Sequence, residues 1–150
     1  SRTMAISKID RFTNLGKIQH QQYQQALESE QKVSQLIDSI DSSVAQIRQY
    51  QQDYQQDLIT LQQGASTNEK LVRTRKFLQQ LMQMEVDQLR QRQDLDERLQ
   101  QAKSLSLQKL QKTRMSEKLT EKAHVEQLAA NKALDAKQMD AIATQMYNRR

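Results

Sequence analysis

From Ile9 to Leu61 the apolar positions fall on two interleaved seven-residue series. One is Ile9, Gly16, Tyr23, Glu30, Ile37, Val44, Gln51 and Leu58; the other is Phe12, Gln19, Ala26, Val33, Ile40, Ile47, Tyr54 and Leu61. Offsets alternating between three and four place both series on one stripe of a slightly underwound helix. Twelve of these 16 positions are apolar or aromatic in a chain that is 36% apolar overall, so the stripe is a coiled-coil seam. The stretch from Gly16 to Gln25, with the polar run His20-Gln21-Gln22, is expected to be a looser or frayed part of that helix.

The pattern breaks at Gln62-Gln63-Gly64-Ala65-Ser66-Thr67-Asn68. Gly64 is able to adopt the left-handed conformation that ends helices, and Ser66 with Glu69 makes an S-x-x-E capping box for a new one. A second helical pattern then continues without Gly or Pro to Tyr147, through Leu71, Leu78, Met82, Val86, Leu89, Leu95, Leu99, Ala102, Leu110, Leu119, Leu128, Met139, Ile142 and Met146. Its spacing drifts between heptad and straight helical periodicity. The expectation is an all-α chain forming one coiled-coil domain over residues 1–150, with a first helix over about 5–62, a turn at 63–67 and a second helix over about 68–147. A connection this short requires a long antiparallel two-helix hairpin. Tyr54 then meets Phe77, Tyr50 meets Leu81, and the longer second helix overhangs from roughly Lys122 to Arg150.

Composition narrows the function. The 150 residues include 28 glutamines, two glycines, no proline and no cysteine, which excludes strand-rich and βαβ folds and leaves too little apolar material for a wide core. Lack of cysteine removes disulfides, thiolate catalysis and thiolate metal sites. Ser1 to Leu15 has no continuous apolar region and no run approaches a membrane span, so neither a signal peptide nor direct membrane insertion is expected, and a cytosolic setting follows. Ser1-Arg2-Thr3 precedes Met4, which reads as the natural start.

Charge is unevenly placed. Through Gln62 there are 6 Lys+Arg against 7 Asp+Glu; from Gln63 onward there are 17 against 11. Seven cations lie between Arg98 and Lys122, and the hairpin brings Lys8, Arg11 and Lys17 to their level, making the open end basic. Three readings compete there: a solvated face, an acidic protein partner, and nucleic acid, the last disfavoured because the aromatics lie mostly elsewhere. Near the turn, Tyr50, Tyr54 and Phe77 are too large to be wholly covered by one neighbouring helix. They read either as seam packing or as an amphipathic docking patch.

Catalytic chemistry finds no support. A two-helix rod is expected to offer no concavity, His20 and His124 stand alone as solvated side chains, and no Gly-rich loop or zinc spacing occurs. Asp94, Asp96 and Glu97 are expected to face solvent beside Arg90, Arg92 and Arg98 as ordinary helix-surface pairs. No enzyme activity, cofactor or metal is expected.

The segment Ile47-Arg48-Gln49-Tyr50-Gln51-Gln52-Asp53-Tyr54, then Gly64, then Phe77-Leu78-Gln79-Gln80-Leu81, then Leu134-Asp135-Ala136-Lys137-Gln138-Met139-Asp140 resembles the FliJ family of flagellar type III export proteins. The resemblance runs over nearly the full chain. It implies an antiparallel two-helix coiled coil similar to the central stalk, the gamma subunit, of rotary ATP synthases. Such a stalk protrudes from the hexameric export ATPase, promotes its assembly and activity, contacts the cytoplasmic domain of the membrane export gate, and interacts with export chaperones. The resemblance places gate contacts at Ile47, Tyr50, Tyr54, Phe77 and Leu81. Met84 and Gln88 also align, where some members have a small residue and a histidine. The stalk analogy puts both chain termini inside the ATPase ring, with Lys8, Arg11, Lys17, Arg114, Lys118 and Lys122 as the candidate grip. The setting implied is the cytoplasmic face of the bacterial inner membrane, reached through the export apparatus. The alternatives are the equivalent stalk of a virulence injectisome and a generic coiled-coil scaffold.

Overall fold

The computed structural model describes residues 2–64 and 67–149, with side chains from Ser7 onward. Two helices account for nearly all of it: α1, Arg2–Gln63, and α2, Asn68–Asn148. No strand occurs among the described residues. The helices pack antiparallel in two compact units, Leu27–Ser104 and Ser1–Ala26 with Leu105–Arg150, called here the turn unit and the termini unit.

All 16 positions of the two α1 series are buried or half-buried, so the heptad reading of the first helix holds position by position. The helix also runs unbroken through Gly16 to Gln25, where a looser stretch was expected. There Gly16 sits at a close approach: a Cβ built on it would lie 3.7 Å from the Cβ of Ser116.

The connection differs from the sequence reading. No glycine among the described residues has positive φ, so Gly64 ends α1 without the left-handed conformation. Ser66, half of the expected capping box, lies outside the described residues. The cap seen is Thr67, whose Oγ1 accepts from the Lys70 amide at 3.4 Å while its carbonyl accepts from Lys70 at 3.1 Å and Leu71 at 3.4 Å. Glu69, in the first turn where a negative charge suits the helix dipole, pairs with Arg73 at 3.1 Å.

In the turn unit the core is aliphatic. Ile37, Val44 and Ile47 of α1 and Leu78 and Leu81 of α2 are buried. The expected α2 seam is corrected here: Met82, Val86 and Leu89 are exposed, and the inward positions are Leu71, Thr74, Leu78, Leu81, Glu85, Gln88, Arg92, Leu95, Leu99 and Ala102. These recur at alternating offsets of three and four, an unbroken heptad that the polar members hide from a hydrophobicity pattern.

The charged members are held from the opposite helix. Glu85 accepts from Gln51 Nε2 at 2.8 Å and from Arg48 Nε at 3.1 Å. Arg92 Nε donates to Asp41 Oδ1 at 2.6 Å, its Nη2 to Asp41 Oδ2 at 3.3 Å, and its Nη1 to Asp96 Oδ2 at 2.7 Å. A slip of one heptad would separate every one of these interhelical partners, so the bridges fix register. Arg92 is thus more than the surface pair expected from its i,i+4 neighbour.

The termini unit has a different interior. Its buried residues are Ala26, Ser106, Thr113, Ser116 and Ala123. Ser116 Oγ donates to Gln19 Oε1, and Lys109 Nζ donates to Gln22 Oε1 at 3.4 Å. Small side chains let the backbones approach, and hydroxyls and amides satisfy one another where branched aliphatics stand in the turn unit. The threonine hydroxyls of α2 here turn back on their own helix: Thr113 Oγ1 donates to the Lys109 carbonyl at 2.9 Å and Thr120 Oγ1 to that of Ser116 at 2.9 Å. From Lys132 to Arg149 every residue is exposed.

Candidate functional site

Two surfaces answer to the sequence reading, one in each unit. The first is the aromatic level of the turn unit. Ile47 and Leu81 are 5% and 4% exposed, so they form its floor. Above them the Tyr54 and Phe77 rings meet with centroids 4.7 Å apart and planes inclined by 45°, the contact expected from the fold-back. Phe77 remains 42% exposed and Tyr50 45%, while Tyr54 is half-buried.

Tyr50 accepts a hydrogen bond from Gln46 Nε2 at 3.1 Å, which ties its hydroxyl to the preceding turn. Met84, seven residues after Phe77, continues the exposed apolar flank, and Gln88 is half-buried on the seam. The level therefore has a packed floor, two projecting aromatic rings and a thioether edge. This is a surface suited to burying an apolar group of a second protein while the tyrosine hydroxyls stay wet.

Electrostatics bound this level on one side. The Gln51 amide and then the Arg48 guanidinium hold the Glu85 carboxyl below its usual range. Further along, the hydrogen bond from Arg92 holds Asp41 below its usual value, and Asp41 in turn raises Arg92. These groups are mutually engaged.

The second surface lies in the termini unit. Lys8, Arg11, Lys17, Arg114, Lys118 and Lys122 are all exposed. Lys8 and Lys122 are brought together, lining one small cleft of about 100 Å³ with Phe12, Leu119, Ala123 and Glu126. The Lys8 ammonium lies 5.7 Å from the centroid of the Phe12 ring, at the outer limit of a cation–π contact. Lys17 lines a separate groove, and Arg11, Arg114 and Lys118 line neither. Three of the six cations stand on α1 and three on α2, and among them Lys8 and Lys122 share a cleft.

That groove was not foreseen. It measures about 640 Å³ and opens beside Gly16, where α1 has no side chain, between Lys17 and His20 of α1 and Glu121, His124 and Leu128 of α2. The expectation that two helices offer no concavity is thereby corrected: a glycine facing small seam residues leaves the hollow. The two histidines, read from the sequence as solitary, line the same groove. No group of three or more His, Asp or Glu side chains able to hold a metal ion occurs among the described residues. The signal that could have found the groove was Gly16 itself, standing at a seam position opposite Ser116.

No helix among the described residues is long and apolar enough to cross a membrane. Comparison with curated proteins and with solved structures gave no match. The model of one family, described as the flagellar FliJ protein, matches residues 7–150, which takes in both helices, the connection and both surfaces. The chain belongs to the FliJ family, a component of flagellar type III protein export.

Proposed function

We propose that this chain is a non-catalytic stalk of the flagellar export apparatus, promoting ring assembly and activity of the export ATPase and coupling it to the cytoplasmic domain of the membrane export gate. The observation that carries the reading is the family match over residues 7–150 of a chain whose two helices pack antiparallel. Family membership supplies the export setting; the division of labour between the two surfaces is our assignment.

The aromatic level is the gate-binding surface in this reading. Tyr50, Tyr54 and Phe77 make the contact and Ile47 with Leu81 hold them in place from beneath. The termini unit engages the ATPase, with Lys8, Arg11, Lys17, Arg114, Lys118 and Lys122 gripping acidic groups. Exposed cations contributed by both helices suit a site that engages the two together. Export chaperones are further partners, and the protein works at the cytoplasmic face of the inner membrane without entering it.

The test is the hydrolysis rate and oligomeric state of the cognate export ATPase at fixed concentration, with and without this protein. Stimulation together with ring formation is the expected result, weakening as salt shortens the Debye length below ~8 Å. A folded, helical sample that neither binds nor stimulates the ATPase overturns the stalk reading and leaves a coiled-coil scaffold. In parallel, Tyr50→Ala/Tyr54→Ala is expected to lose gate binding while keeping its helical content; unchanged gate affinity removes the aromatic level from the assignment.

A further inference from the structure

The seam of α2 in the termini unit is built from Ser106, Lys109, Thr113, Ser116, Thr120, Ala123 and Gln127, yet the same segment is rich in large apolar residues. They point elsewhere. Val125, Leu128, Met139, Ile142 and Met146 are all more than half exposed, Met139 at 69%. With Lys132 and Asp135 they occupy positions 125, 128, 132, 135, 139, 142 and 146, alternating offsets of three and four. This is a second complete coiled-coil seam, on a face of α2 that α1 does not use.

Its order specifies an occupant. Laid antiparallel against a second copy of itself, the stripe places Val125 against Ile142 and Leu128 against Met139 of the other copy, with Lys132 against Asp135 at the centre. The twofold repeats each layer, so four apolar layers flank two opposite-charge pairs. The neighbouring antiparallel registers, one heptad away in either direction, set Lys132 against Ile142 and Asp135 against Met139, or Val125 against Asp135 and Leu128 against Lys132. Each buries a charge against a hydrocarbon side chain. The in-register parallel arrangement sets lysine against lysine and aspartate against aspartate. One register out of these matches both hydrophobicity and charge. Asp135 already has a polar partner within its own chain, and a carboxylate has two oxygens with which to accept.

The groove beside Gly16 extends the match. In this register Met146 of the second copy arrives at the level of Thr120 and Glu121, over the hollow of about 640 Å³ that Val125 and Leu128 also line. Arg149 of the second copy arrives near Glu117 and Glu121, two acidic residues of the groove wall. The register thus brings Met146 of the second copy over the hollow beside Gly16, with Met139 alongside at Leu128.

We infer that this chain self-associates through residues 125–146 of α2, as an antiparallel twofold pair centred on Lys132 and Asp135, with Met146 of each copy seated in the other's groove. The contact lies in the same unit as the cations assigned to the ATPase and on different residues. The inference does not depend on the stalk reading, and its test contains no ATPase.

Sedimentation velocity of the full chain over a range of concentrations is expected to show a monomer–dimer equilibrium. Lys132→Glu, which leaves carboxylates facing carboxylates, is expected to weaken the dimer by at least about tenfold. The exchanged variant Lys132→Asp/Asp135→Lys is expected to restore it, because the pairing survives the swap. Both positions are exposed, and unchanged helical circular dichroism separates lost association from lost folding. Since the chain has no cysteine, Val125→Cys mixed with Ile142→Cys reports orientation: a mixed disulfide is expected for the antiparallel pair. A chain that stays monomeric at every concentration overturns the proposal and leaves the stripe to a different protein. So does a dimer indifferent to Lys132→Glu, or one in which each cysteine variant links only to itself.

Discussion

Between residues 27 and 104 the helices turn isoleucine, valine and leucine toward each other and lock their register with Arg48–Glu85 and Asp41–Arg92. Between residues 105 and 127 the same α2 buries serine, threonine and alanine and leaves Leu105, Leu107, Met115 and Leu119 exposed. The first arrangement has an aliphatic interior of its own. The second buries little apolar surface and keeps a large amount in contact with water, which is the composition of a segment finished by another molecule. One helix pair therefore combines a half held by an aliphatic seam with a half held by small and polar side chains.

The comparison breaks most readily at Leu81. Leu81→Ala, at a position 4% exposed in the turn unit, is expected to cost about 2 to 5 kcal/mol in thermal or denaturant unfolding. Leu119→Ala in the termini unit, where the side chain is 40% exposed, is expected to change stability by no more than about 0.5 kcal/mol. Equal losses at the two leucines would mean that the termini unit relies on its apolar residues after all.

A smaller effect sharpens the other side. Gly16→Ala adds a Cβ in ordinary contact with Ser116 at 3.7 Å and removes a glycine from a helix interior, a gain of about 1 kcal/mol. Hydrogen exchange should report it as slower opening of residues 105–125 with little change near the turn. The same variant narrows the groove, so it also bears on the seating of Met146.

The smallest effect is electrostatic. Asp41 and Glu85 have folded pKa values below their ordinary ones, so their contribution is present above the normal carboxylate range and disappears as pH falls through the depressed values. The melting temperature of the wild type should accordingly drop on acidification below about pH 4, and Arg92→Gln should flatten the part of that slope due to Asp41. Because these pairs remain partly open to solvent, added salt should reduce the difference between wild type and variant.

How far the sequence foretells this follows from the same contrast. The α1 seam is legible because 12 of its 16 heptad positions are apolar or aromatic, which outweighs off-seam residues such as Ile18 and Leu36. The α2 seam is not legible, because its apolar residues serve two faces: Leu78 and Leu99 point to α1, whereas Leu128 and Ile142 point away. A single periodicity fitted through both drifts, and polar seam members such as Glu85, Arg92 and Thr113 drop out of it. The aromatic level is legible because a short turn fixes which residues face each other, which is enough to place Tyr54 on Phe77. The groove is invisible to any pattern of hydrophobicity, since it is made by the absence of a side chain at Gly16. The expected capping residue Ser66 lies outside the described residues, and the hydrogen bonds of Lys70 show Thr67 capping as well, a role its hydroxyl suits.

The threonines that return their hydroxyls to their own helix have a mechanical meaning. Thr60, Thr74, Thr113, Thr120 and Thr144 each donate to the carbonyl four residues back, at 2.9–3.0 Å. A carbonyl that also serves a side chain holds its backbone amide less firmly, and helices bend where this happens. Thr113 and Thr120, one turn pair apart and flanking the carbonyl of Ser116, make α2 compliant just where it passes Gly16. A helix surfaced with leucines has no such competing donors; here the carbonyls that serve two donors are the points at which the hydrogen-bonded ladder is expected to yield first.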